Sequence, residues 1–178
     1  MTLLTHETPV LLWQEVVKNA ESHCSIVLNQ DLEAYLIALL VRYTNKPELA
    51  QQVFATAYLD ALQKQQKHRS VLLQAIGDQC LIYAGLFPAQ AEKRHVKLAY
   101  FVGLGQSAYS MVSLSTNDLY SVLALKFVTL MDVLQSIRPT TDMPPLQAYE
   151  QWHELGSQYA WQMLQKITKG VPLTRISR

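Results

Sequence analysis

Between Cys80 and Ala84 the chain is apolar on every side of a helix, and Asp78 stands within one turn of that run. A helix that is apolar all round belongs in a core. A carboxylate beside it needs a partner, because an unpaired buried charge is very costly. The segment Gly77 to Tyr109, GDQCLIYAGLFPAQAEKRHVKLAYFVGLGQSAY, is therefore the expected centre of the fold. Residues 70 to 112 are expected to turn back as a buried antiparallel helical hairpin whose few polar groups are satisfied from within.

Almost every other segment repeats its apolar residues at the helical period, and none alternates over a sustained stretch. The reading is all-α, a single-domain bundle of about seven helices joined by short loops. Pro9 opens the first helix, with Val10, Trp13, Val16, Val17 and Ala20 inward, and residues 22 to 29 form a break. Leu32, Tyr35, Leu36, Leu39, Leu40 and Tyr43 mark the second. The third ends near Gln65 and the fourth spans about Ser70 to Ala84, where Gly85 is expected as a left-handed C-cap before Phe87-Pro88. The fifth is expected over about Ala89 to Val112, the sixth from Asp118 to before Pro139, and the seventh over about Leu146 to Lys169. Residues 1–7 and 171–178 read as flexible ends of one domain, 1–178.

Composition narrows the class. Of 178 residues, 49% are hydrophobic and 16% charged, which suits a substantial core and argues against disorder. A net charge of +1 gives no global reason to expect nucleic acid or an anionic membrane surface as partner. Lys64, Lys67 and Arg69, like Lys93, Arg94 and Lys97, read as solvated helix ends. The longest uncharged run, between Lys97 and Asp118, is too polar for a membrane helix. Two isolated cysteines, Cys24 and Cys80, and no signal-like N-terminus point to a reducing, cytoplasmic setting.

At Gly77-Asp78, Ala84-Gly85-Leu86-Phe87-Pro88, Arg94, Tyr100-Phe101 and Gly105 to Tyr109, the chain resembles a group of uncharacterised bacterial proteins with no assigned activity. These share a segment of the form GD…L…(A/S)G(L/F)FP…R…YY…MG…AY. The likeness covers about a fifth of the chain; Leu104 stands in the Met place and Phe101 in the second Tyr place. It implies a bacterial, helical, soluble protein and no particular chemistry.

The candidate ligand-binding or core polar network is Asp78, Tyr83, Tyr100, Gly105, Tyr109 and Lys126, with Arg94 added from the shared segment. Asp78 is either a general base in a pocket or, more often for such groups, a structural tie to an Arg, a Tyr hydroxyl or a helix end. On an unbroken sixth helix, Lys126 falls in the stripe of Leu119, Leu123, Leu130, Leu134 and Ile137, while Asp132 and Gln135 fall on the far side. Lys126 is therefore expected to snorkel to the rim or to meet a carboxylate such as Asp78. Gly103 and Gly105 each weaken a helix interior by about 1 kcal/mol, which close helix packing or a bend would offset. Tyr83, Tyr100 and Tyr109 lie in apolar company, where each hydroxyl wants a partner.

Glu92 to His95 and Glu150 to His153 both spell Glu-x-x-His, the spacing used by di-iron helical bundles. Their charged or solvated surroundings and the weak candidates for the missing carboxylates argue against a metal centre. No cofactor is expected. No phosphate-binding glycine loop, nucleophile elbow, HExxH or CxxC occurs. The expected function is non-catalytic binding of a partner protein or a small apolar ligand near Asp78, Tyr100 and Tyr109; the alternative is an enzyme, di-iron-like or other, with its site in the bundle core. Self-association as a homodimer is expected, because Tyr35 to Tyr43 and Tyr149 to Met163 look apolar on more than one face.

Overall fold

The computed structural model describes residues 8–46, 54–93, 96–116, 118–138 and 143–168. The expected flexible ends, 1–7 and 171–178, lie outside these, as do Arg94 and His95. Among the described residues the chain is all-α, with ten helices and no strand. They are α1 (Pro9–Cys24), α2 (Gln30–Asn45), α3 (Phe54–Leu62), α4 (Gln66–Leu86), α5 (Pro88–Lys93), α6 (Leu98–Thr116), α7 (Asp118–Leu125), α8 (Phe127–Gln135), α9 (Pro145–Leu155) and α10 (Gln158–Thr168).

The expected count of about seven is corrected because three long helices are each divided. The fifth separates into α5 and α6, where Lys93, Arg94 and Lys97 would stack like charges across one turn. The sixth kinks at Lys126, whose φ of −97° and ψ of 15° set it at the N-cap of α8. The seventh stops at Gly156, which takes a left-handed φ of 69° that glycine adopts without Cβ strain. Gly85, expected to play that capping part, instead lies inside α4, which runs on to Leu86. Its missing Cβ admits Leu134 of α8, whose Cδ1 would stand 2.6 Å from a methyl group there.

The centre is an antiparallel α4–α6 pair, the most extensive helix contact among the described residues. Three residue pairs fix its register. Tyr109 lies on Gly77, Cys80 faces Gly105, and the Tyr83 ring packs against Phe101 with centroids 4.7 Å apart. From Ile76 to Leu86 every residue of α4 is buried, as its all-round apolar pattern requires. Leu36, Leu39 and Leu40 of α2, Val17 and Cys24 of α1 and Leu130 and Met131 of α8 belong to the same apolar cluster as this pair. No helix of the described residues is long and apolar enough to cross a membrane.

Candidate functional site

Asp78 is 5% exposed and sits where α2, α4 and α6 meet. Its Oδ1 accepts the Tyr35 hydroxyl at 2.5 Å and the Tyr109 hydroxyl at 2.7 Å, and its Oδ2 accepts Arg42 Nη2 at 3.1 Å. Tyr35 and Arg42 are seven residues apart on α2, so the same helix face supplies both. Gly77 supplies the room on α4, because a Cβ there would stand 2.5 Å from the Tyr109 ring. The rings of Tyr35 and Tyr109 meet edge to face at 6.3 Å, and Tyr120 of α7 lies 6.1 Å from one and 6.0 Å from the other.

Burial pushes the Asp78 carboxyl above the usual carboxylate range, and the three donors pull it part of the way back. Burial, and then the Asp78 charge, raise the hydroxyls of Tyr35 and Tyr109. Those phenols stay protonated and remain donors. A carboxylate with both oxygens engaged and no open face ties helices together and is poorly placed to take a proton from a substrate.

The other candidates do not all join this cluster. Lys126 is exposed, and among the described residues the ion pair of Asp78 is with Arg42. The kink at Lys126 removes the unbroken wheel that set its side chain in the apolar stripe. Tyr100 is 45% exposed, nine residues from Tyr109 and so on the opposite face of α6. Tyr83 is fully buried against Phe101. Gly105 is a packing position, where a Cβ would meet Phe127 Cζ at 2.5 Å and Cys80 Cβ at 2.9 Å. Arg94 lies outside the described residues. Arg42 and Tyr35 are the participants that sequence reading passed over; Tyr35 stood there only as a residue of the α2 stripe, and Arg42 was not singled out at all. The signal for Arg42 was its place beside Tyr35 and Tyr43 at the border of the α2 stripe.

A second buried carboxylate contradicts the expected far side of the sixth helix: Asp132 is 2% exposed and Gln135 5%. The pair α9–α10 covers that face of α8. Asp132 Oδ1 accepts the Ser157 hydroxyl at 2.5 Å, and its Oδ2 accepts the Gln158 backbone N–H at 2.9 Å, at the first turn of α10. Gln151 donates to Gln135 Oε1 at 2.7 Å and to Ser157 Oγ at 3.0 Å, and Gln135 donates to the Ala84 carbonyl at 3.1 Å. Burial pushes the Asp132 carboxyl up to about 6, against the opposing pull of Ser157 and the backbone of Gln158 and Tyr159.

Among the described residues no three or more His, Cys, Asp or Glu stand together as a metal would require. Glu150 is exposed and the His153 ring stacks on Tyr149 at 5.5 Å. His95 and the Glu92 side chain lie outside the described residues. Both cysteines are free and buried, and burial raises both thiols, Cys80 far above the range in which a thiolate forms.

Besides a shallow cleft of about 460 Å³ on α9 and α10, lined by Trp152, Gln158, Trp161 and Gln165, two clefts on the described residues bear on function. One, of about 200 Å³, lies between α6 and α9, and its Lys97 is already paired with Glu154 at 3.0 Å. The other, of about 400 Å³, lies where the C-terminal ends of α1 and α8 meet the side of α10. Ile137, Tyr159 and Met163 give it apolar surface. The comparisons add no relative to this geometry: no family model, curated protein or solved structure matches the chain.

Proposed function

We propose that the chain is one helical unit that binds a small apolar ligand without catalysis, in the cleft among α1, α8 and α10. The observation that carries this reading is the cleft itself. Its volume of about 400 Å³ falls in the range of small-ligand sites, and Ile137, Met163 and the Tyr159 ring supply the apolar surface such sites use. The hydrogen bonding of Asp78 supports the non-catalytic half, since both of its oxygens already accept bonds from Tyr35, Tyr109 and Arg42. The site thus moves away from Asp78, Tyr100 and Tyr109, where the sequence had suggested it.

The test is fluorescence titration with the neutral apolar probe N-phenyl-1-naphthylamine. Saturable enhancement is expected, lost in Met163→Asp and retained in Leu146→Asp, whose site is exposed on α9. No enhancement, or equal enhancement in both variants, overturns the reading.

Self-association is a second part of this reading. The Tyr35–Tyr43 face no longer supports it, because Tyr35 is bonded to Asp78 and Tyr43 packs on Phe87 at 6.1 Å. Support comes instead from α9, where Leu146 is 69% and Tyr149 40% exposed one turn apart. A bacterial origin rests on the shared segment alone.

A further inference from the structure

We infer that the cleft among α1, α8 and α10 selects an amphiphilic anion: a single apolar chain ending in a carboxylate or phosphate head. This rests on the cleft being an apolar ligand site and adds the chemistry of the head group. His23 at the end of α1, Arg138 after α8 and Lys166 in the last turn of α10 all line it, and no Asp or Glu is among its described lining residues. Arg138 and Lys166, taken singly, suit helix C-termini. Two cations on one small cleft repel one another, and an anion between them relieves that repulsion, while the His23 ring can add a hydrogen-bond donor.

The surrounding groups leave the task to a ligand. Asp132, one turn from Ser136 on α8, is buried, with its oxygens turned into the start of α10. The Cys24 carbonyl at the end of α1 is already held by Gln162 Nε2 at 2.9 Å, so this helix end does not depend on a cation from the cleft. Arg138 rests with its guanidinium 5.3 Å over the Phe87 ring, a stacking that leaves its N–H edge available to a planar or tetrahedral oxyanion. Ile137 and Met163 then meet the chain of the ligand while Arg138 and Lys166 meet its head.

The experiment is isothermal titration of the full chain with octanoate, octyl phosphate, 1-octanol and acetate. At least one of the two octyl anions is expected to bind about ten-fold or more tighter than 1-octanol and than acetate, and the tighter of the two identifies the head. In Arg138→Gln/Lys166→Gln, checked for an unchanged urea midpoint, that advantage over 1-octanol is expected to disappear while 1-octanol binding persists. Equal affinity for anions and 1-octanol, or an unchanged preference in the double variant, overturns the anionic head and leaves the apolar site standing. Binding of acetate as tightly as octanoate overturns the amphiphilic chain. No binding of any octyl compound, together with no enhancement of the neutral probe, overturns both readings.

Discussion

The Tyr109 hydroxyl reaches Asp78 at 2.7 Å across the α4–α6 interface, and it does so because Gly77 lets the ring lie flat on α4. Tyr109→Phe keeps the ring and removes the donor. The loss leaves a buried carboxylate with one fewer hydrogen bond, a cost of about 1–3 kcal/mol. Urea unfolding should show a lower midpoint at unchanged slope; an unaltered midpoint would mean that the bond contributes nothing net.

Two glycines on α6 should respond in opposite directions. Nothing lies within 4 Å of a Cβ at Gly103, so Gly103→Ala gains about 1 kcal/mol of helix propensity. At Gly105 the new methyl meets Phe127 and Cys80, and overpacking of about 1–3 kcal/mol outweighs that gain. Thermal melts of the two variants should move apart, and a common direction would contradict the α4–α6–α8 packing.

Asp132 sets a pH dependence. Its carboxyl is pushed up to about 6 in the folded chain against 3.8 for an unperturbed one, so the folded state holds a proton that the unfolded state releases. Its contribution to stability is therefore greatest at low pH and is lost as pH rises through about 6. The size is on the order of 3 kcal/mol between about pH 4 and about pH 7. Asp78 shifts in the same direction, so the informative quantity is the difference between wild type and Asp132→Asn. Unfolding free energy should decline less steeply with pH in the variant; parallel curves would refute the assignment.

The α9 surface offers a test of oligomeric state. Light scattering should give twice the chain mass for the wild type and one chain mass for Leu146→Glu/Tyr149→Glu, with the melting transition of the subunit retained. A wild type that runs as one chain at high concentration removes the homodimer.

Much of this fold is legible in the sequence because burial leaves a strong periodic mark. The all-round apolar run at Cys80 to Ala84 placed α4 in the core, and the need for a partner at Asp78 left open an arginine, a tyrosine hydroxyl, a helix end or Lys126. The identity of the arginine was not readable. Arg42 is 36 residues away, and only the packing of α2 on α4 brings it near. The kink at Lys126 left no proline or glycine to announce it, and it undid the wheel on which Lys126, Asp132 and Gln135 had been placed. Asp132 read as lying on the far side of the stripe because its cover, α9–α10, comes later in the chain. A pair of polar residues spaced three apart on an otherwise apolar helix was the available warning. Gly85 proved a packing position where a cap was expected, and Gly156, not singled out in the sequence, makes such a cap, since a tight neighbour and a left-handed turn both call for the residue without a side chain.

The carboxylate of Asp132 closes the first turn of a helix that begins 26 residues further on. That helix consequently borrows its beginning from a distant stretch of polypeptide, and its amides inherit the durability of α8. Hydrogen exchange at the start of α10 should keep pace with α8 and lag behind the last turn of α10, near Thr168, so that this helix frays from one side only.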